Sequence, residues 1–248
     1  MSHEYKELEL PNLLSGKTST KLKILFEVPG ILALEKPSGV LIDAYPWYPD
    51  FPSIIYSLKQ KKALGGLPEY PFESNYGIFA LEPAMSGIAL IATNKESSNY
   101  LRNLFGSYKM LFRFVFLAKS KSDKQSLICE LPIAKHYREN KVLVSNKTGK
   151  KSKTLFNLID KLGDYQLWEA RTDYLRMHQI RLHAMESGIP ILGDRLYNIS
   201  DQKEDQVGNR RFEPILLHLR SIEWGTDNEK VQIFSPMPDS FSSSALNK

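Results

Sequence analysis

The stretch Gly77-Ile-Phe-Ala-Leu-Glu-Pro-Ala-Met-Ser-Gly-Ile-Ala-Leu-Ile-Ala-Thr93 organises the reading of the whole chain. Two runs of β-type composition, 77–81 and 87–92, flank a tight connection over 82–87, so one carboxylate, Glu82, sits at the bend between two expected strands. A carboxylate on a loop held by rigid strands is positioned and still reachable by a ligand. An acid in a proline-containing turn is more commonly a solvated turn residue, and one acid without partners makes no site. Its partners must come from other parts of the chain.

Upstream, Phe26 to Leu34 reads as a strand with a Pro29-Gly30 turn inside it, ending in Glu35-Lys-Pro-Ser-Gly39. Pro37 fixes its own φ and pushes Lys36 to an extended backbone, while Gly39 permits a sharp reversal. Residues 1 to about 22 are polar and read as an extension without demanded structure. Downstream, Thr93-Asn-Lys-Glu96 has the capping-box pattern, and Tyr100, Leu101, Leu104, Phe105 and Tyr108 follow at helical spacing. Alternation predicts strands over 112–117, 141–144, 153–158 and 165–170, with a Lys- and Gly-bearing turn at 146–151. From Met177 the pattern turns helical, with Gly188 as C-cap and Pro190 just beyond. A hairpin through 225–228 joins strands at 216–224 and 230–234. Many strands, few helices and no regular βαβ alternation predict an α+β chain built on a mixed, mainly antiparallel sheet.

With 248 residues, 42% hydrophobic and 25% charged, the chain can bury a core and has the balance of an ordinary globular protein. No window approaches the roughly eighteen uncharged apolar residues of a membrane helix, and the N-terminus lacks a basic segment followed by an apolar one. Cys129 is the only cysteine, which excludes an internal disulfide and a cysteine-based zinc cluster. These features lead to the expectation of a cytoplasmic protein with no membrane and no metal; a monomer is expected, although nothing in the sequence addresses oligomeric state. Net charge is +5 and the pI is about 9.0. That suits a polyanionic partner. The cations fall in local groups: Lys59, Lys61 and Lys62; Lys147, Lys150, Lys151 and Lys153; Arg171, Arg176 and Arg181. Aromatics at 45–51 next to the first group could stack on unpaired bases.

Four motifs in order, Glu35-Lys-Pro-Ser-Gly-Val-Leu41, Phe79-Ala-Leu-Glu-Pro-Ala-Met-Ser-Gly87, Met177-His-Gln-Ile-Arg-Leu-His183 and Ile191-Leu-Gly-Asp-Arg-Leu-Tyr197, resemble those of the RluA/RsuA-type RNA pseudouridine synthases. The resemblance runs from about Ile24 to Phe241. It implies a long mixed sheet with flanking helices and a central RNA-binding cleft, formed by one domain over 23–242 without an added S4 domain. It further implies isomerisation of uridine to pseudouridine in rRNA or tRNA, with no metal and no cofactor. In that family an aspartate attacks the flipped-out nucleotide, the glycosidic bond breaks, the ring rotates, and carbon replaces nitrogen in the new bond. Flipping is needed because the target atoms are hidden in a stacked strand.

Carried over by position, the nucleophile falls on Glu82, and Ser86 and Gly87 match the family's Ser-Gly. Arg181 matches the arginine that pairs with the nucleophile, and Phe114 matches the tyrosine that stacks on the uracil. Lys36, Ser86, Arg176 and His178 are the implied substrate-binding residues, with Lys36-Pro-Ser-Gly39 bracing the Glu82 loop from beneath. Three positions depart from the pattern: Glu82 for aspartate, Ala80 for the motif arginine, and Phe79 for the motif histidine. The extra methylene moves the carboxylate by roughly an ångström, a displacement that can cost about a hundredfold in rate. Ala80 removes the side chain that helps take the place of the extruded base. Two readings follow: a synthase that uses a glutamate, or an RNA-binding protein or assembly factor whose isomerase activity is impaired or absent. A hydrolase pairing Glu82 with His178 has no supporting spacing.

Overall fold

The computed structural model describes residues 5–14, 17–46, 51–63, 76–120, 122–198, 214–226 and 229–241. Its strands, in chain order, are β1 (Glu7–Pro11), β2 (Ser19–Val28), β3 (Ile31–Lys36), β4 (Tyr76–Gly77), β5 (Ser86–Ala92), β6 (Met110–Ala118), β7 (Ser126–Cys129), β8 (Ile133–Lys135), β9 (Val142–Val144), β10 (Thr154–Leu162), β11 (Tyr165–Thr172), β12 (Leu217–Thr226) and β13 (Glu229–Phe234). Among the described residues three α-helices, α1 (Ile54–Ala63), α2 (Lys95–Gly106) and α3 (Gln179–Glu186), accompany these strands in an α+β arrangement with mainly antiparallel ladders. It divides into two compact units, Met1–Met110 with Ser221–Ser235, and Leu111–Arg220 with Pro236–Lys248.

The first unit starts with a hairpin where the sequence reading left a polar extension. β1 pairs antiparallel with β2, Leu8 opposite Leu22 and Leu10 opposite Thr20. The reason is the Glu-Leu-Glu-Leu alternation over 7–10, which puts Leu8 and Leu10 inside and Glu7 and Glu9 outside. The Ser- and Thr-rich composition around it hid a period-2 signal only four residues long. α1 packs on β1, and the ammonium of Lys61 donates to the carbonyl of Glu9, so this member of the first basic group ties the hairpin down. Residues 47–50 and 64–75 of the aromatic segment, and the side chain of Lys62, lie outside the described residues.

β2 and β3 form the expected hairpin through Pro29-Gly30. Gly30 has φ +86°, and a Cβ there would meet Ser97 Oγ at 2.0 Å, so only glycine fits. β3 pairs with β5 in the register Lys36 opposite Gly87. The apolar run before Glu82 is buried at Ile78, Phe79 and Leu81, but only Tyr76 and Gly77 join the sheet, as β4 against β5. Composition there specified burial and not a ladder. α2 packs on β5 and is capped by Asn94, whose side chain accepts the Ser97 N–H at 2.8 Å. The cap therefore lies one residue later than the capping-box pattern placed it. β12 and β13 pair antiparallel as expected, Ile222 opposite Ile233; residues 227 and 228 of the turn lie outside the described residues.

In the second unit β7, β10, β11 and β6 pair side by side, all antiparallel. Val115, Leu117, Leu167 and Phe241 form one buried cluster. β8 and β9 make a separate two-stranded ribbon, which Ile133 and Val142 anchor to Leu182 of α3. Neither β7 nor β8 is signalled in the sequence. α3 ends as predicted, with Gly188 at φ +74°. No helix among the described residues is long and apolar enough to cross a membrane.

Candidate active site

Glu82 precedes β5 by four residues, and Lys36 is the last residue of β3. Because the two strands pair with Lys36 opposite Gly87, the Lys36-Pro-Ser-Gly39 segment leaves the sheet next to the loop that carries Glu82. Two bonds then join them. The Gly39 N–H donates to the Pro83 carbonyl at 2.8 Å, and the Lys36 ammonium donates to the Met85 carbonyl at 2.5 Å and to the Pro37 carbonyl at 3.0 Å. Gly39, at φ +88°, supplies the reversal that brings its N–H to the loop. The Glu82 carbonyl accepts the Met85 N–H at 3.1 Å, closing the turn itself. The acid is thus held through its backbone from two directions, while its side chain is half-buried.

Lys36 is fully buried. Burial pushes its pKa from 10.5 down to about 7, and the Glu82 carboxylate works in the opposite direction. The positive end of Lys36 therefore favours the ionised form of Glu82 from inside the protein. This corrects the sequence reading on one point. Lys36 has no surface with which to touch substrate, and its ammonium braces the loop and supplies counter-charge.

The second unit holds the other implied residues. α3 begins at His178, which adopts a left-handed backbone at φ +52°, a conformation that costs a non-glycine residue about 1–2 kcal/mol. Its ring is buried, and Nδ1 shares a 2.9 Å hydrogen bond with the Tyr197 hydroxyl. Burial, then the adjacent Arg181 charge, lowers its pKa to about 3, so His178 is neutral. Arg181 is buried and meets the buried Asp194 carboxylate with both arms of a fork, Nε to Oδ2 at 2.8 Å and Nη2 to Oδ1 at 2.5 Å. Its guanidinium carbon lies 5.3 Å from the centre of the Tyr197 ring. Asp194 in turn accepts the N–H groups of Leu196 and Tyr197 at 3.1 and 3.4 Å. Asp194 and Tyr197 of the 191–197 motif thus hold the start of α3.

Gln179 and His183 fix the rest of that helix. The Gln179 side-chain amide donates to the Lys153 carbonyl and to the hydroxyls of Thr154 and Thr172, and its Oε1 accepts the Arg176 N–H at 3.1 Å. His183 Nε2 lies 2.9 Å from the Leu131 carbonyl, which can only accept, so Nε2 carries the proton and Nδ1 accepts from Thr154 Oγ1 at 2.9 Å. Arg176 is half-exposed, donates from Nε to the Lys151 carbonyl at 2.9 Å, and lies over the Tyr174 ring at 4.9 Å.

Of the residues read from sequence, Glu82, Ser86 and Lys36 lie in the first unit and Phe114, Arg176, His178 and Arg181 in the second. Phe114 is 1% exposed on β6, opposite Ala170, so its ring belongs to the core and not to an open stacking face. His178 is likewise a buried, neutral positioning group. Asp194 and Tyr197 were missed as site residues. The motif containing them was visible, but nothing in its spacing assigned Arg181 a partner thirteen residues away.

A family model for RNA pseudouridylate synthase matches residues 30–186. The chain is 27% identical over 181 residues to an uncharacterized RNA pseudouridine synthase of Aquifex aeolicus, covering 71% of this chain and 56% of that protein. It is 24% identical over 232 residues to ribosomal large subunit pseudouridine synthase C of Buchnera aphidicola, covering 92% of this chain and 71% of that one. The chain thus spans little more than half the length of the Aquifex relative. The solved structure of human RNA Pseudouridylate Synthase Domain Containing 1 shares the fold, with a TM-score of 0.66 at 20% identity over 90% of this chain and 86% of that one. The matched residues include both the braced loop of Glu82 and the start of α3. The chain belongs to the RNA pseudouridylate synthase family.

Proposed function

We propose that this protein binds RNA and isomerises uridine to pseudouridine in ribosomal or transfer RNA, with Glu82 as the attacking carboxylate and at a rate well below that of an aspartate in its place. The observation that carries the reading is the brace on the Glu82 loop: a buried ammonium and a glycine N–H, from a segment more than forty residues earlier, hold that loop by its carbonyls. A solvated turn acid has no use for such a support. The chemistry asks an ionised carboxylate to attack the extruded nucleotide so that the glycosidic bond breaks; the ring rotates, carbon 5 bonds to the ribose as the carboxylate is released, and carbon 5 loses its hydrogen as a proton while the freed ring nitrogen gains one. Lys36, in its charged form, favours the ionised acid. The longer side chain of Glu82 displaces the carboxylate by roughly an ångström, which corresponds to about a hundredfold in rate. The reading places the protein in the cytoplasm as a monomer, which sedimentation checks.

A second reading, an RNA-binding protein or assembly factor without turnover, is favoured by Ala80. That residue is exposed and offers only a methyl group where the family pattern has an arginine. Tritium release from RNA carrying 5-tritiated uridine separates the two. Slow release by the wild type, absent in Glu82→Ala and about a hundredfold faster in Glu82→Asp, supports the synthase. No release from wild type or Glu82→Asp, with RNA binding intact, leaves the second reading.

A further inference from the structure

The net charge of this protein resides almost entirely in one short segment. Residues 133–153 carry six lysines and one arginine against Glu139 alone, a net +6, while the other 227 residues carry a net −1. The fold gathers this segment into one small body. β8 pairs with β9 on one side, and on the other Ile133 bridges Lys150, with N–H to carbonyl bonds of 3.0 and 2.9 Å in the two directions. The turn between β9 and Lys150 folds back so tightly that a Cβ on Gly149 would lie 2.3 Å from the Ser145 carbonyl oxygen. Lys147, Lys150 and Lys151 are thereby brought onto the same ribbon as Lys135 and Arg138, and all five are exposed.

At the tip, Tyr137 is 79% exposed, the most exposed large hydrophobic side chain among the described residues. The turn that carries it is hydrogen-bonded. His136 Nδ1 accepts the Glu139 N–H at 3.1 Å, the His136 N–H closes the turn on the Lys141 carbonyl at 2.9 Å, and the Arg138 guanidinium lies 4.9 Å from the centre of the Tyr137 ring. An aromatic ring layered with a guanidinium and surrounded by lysines matches the π-face and phosphates of a single-stranded nucleic acid. The ribbon is not a loose appendage either. The Tyr197 hydroxyl accepts the Val142 N–H at 2.9 Å and also hydrogen-bonds His178, so the same residue anchors the ribbon and the start of α3.

We propose that the β8–β9 ribbon is a second RNA-binding site, in which Tyr137 and Arg138 stack on an unpaired base while Lys135, Lys147, Lys150 and Lys151 pair with flanking phosphates. This rests on the RNA-binding reading above and adds where, outside the Glu82 loop, the RNA is held.

The test is fluorescence anisotropy with an unstructured 20-nucleotide RNA, titrated at several salt concentrations. The proteins are the full-length wild type, a triple variant Lys147→Gln, Lys150→Gln and Lys151→Gln, and Tyr137→Ala. All four substitutions are at exposed side chains, and unchanged urea midpoints verify the fold. Removing three lysine–phosphate pairs on a single strand reduces the slope of log K against log salt by about 2 in the triple variant. Tyr137→Ala weakens binding about tenfold and leaves that slope unchanged. If both variants bind like the wild type with the same slope, the ribbon is not an RNA site, while the family reading stands. If the wild type itself does not bind, the RNA reading and this inference fall together. Equal, variant-sensitive binding to phosphatidylserine vesicles would make the ribbon a general anionic-surface site and overturn the assignment to RNA.

Discussion

Lys36 offers the sharpest physical test of how the Glu82 loop is held. Its ammonium is fully buried, and its pKa falls from 10.5 in the unfolded chain to about 7 in the folded one. Between those two values the unfolded chain holds a proton that the folded chain has released, so stability rises with pH across that window. At about 1.4 kcal/mol per pH unit, keeping Lys36 charged below pH 7 costs about 5 kcal/mol, offset in part by its bonds to the Pro37 and Met85 carbonyls. Lys36→Met keeps the length of the side chain and removes the titration. Its absolute stability depends on how the two carbonyls are resatisfied, but its pH dependence does not. The quantity to measure is the unfolding free energy of both proteins by urea titration, read by tryptophan fluorescence, from pH 6 to 9. Relative to Lys36→Met, the wild type gains about 2 kcal/mol between pH 7 and 9 and changes little below pH 6.5. Parallel profiles over the whole range would show that Lys36 keeps its proton when folded, and the argument for a strongly desolvated ammonium beneath Glu82 would be lost.

The Arg181–Asp194 pair is buried on both sides, so Asp194→Asn, which removes the carboxylate charge from that pair, costs about 3–5 kcal/mol. Arg181→Met with Asp194→Leu costs much less than the two single changes added, and a double-mutant cycle in urea that came out additive would contradict the pairing. Leu10→Ala, at a side chain with no exposure in the N-terminal hairpin, destabilises by about 2–5 kcal/mol; a loss below about 0.5 kcal/mol, the range of an ordinary surface substitution, would mean that the hairpin contributes little to the first unit. Gly39→Ala forces a side chain into the φ +88° backbone, costs about 1–2 kcal/mol and loosens the bond to Pro83. A urea midpoint and a tritium-release rate both equal to the wild type's would count against that brace.

What the sequence revealed and what it hid divide along a physical line. Runs with a strong period were legible: the β5 stretch before Thr93, the Phe112-Arg-Phe-Val-Phe strand that became β6, and the helix ended by Gly188. The four-residue alternation at Glu7 was too short to outweigh its polar surroundings, and the apolar run before Glu82 was buried without joining the sheet beyond Gly77. Motifs singled out candidate residues but not their partners, because partnership depends on register and turns. Lys36 meets the Glu82 loop only because β3 and β5 pair with Lys36 opposite Gly87. Asp194 reaches Arg181 only because the chain reverses at Gly188 and again at Gly193, which has φ +84°. The same holds for charge. The lysines over 147–153 were countable from the start, yet that they share one ribbon with Lys135 and Arg138 follows from the Ile133 bridge to Lys150, a pairing no local pattern encodes. Where a side chain's role is set by its own chemistry, sequence suffices; where it is set by which backbone lies opposite, as for Lys36, Arg181 and the basic ribbon, the pairing must be seen.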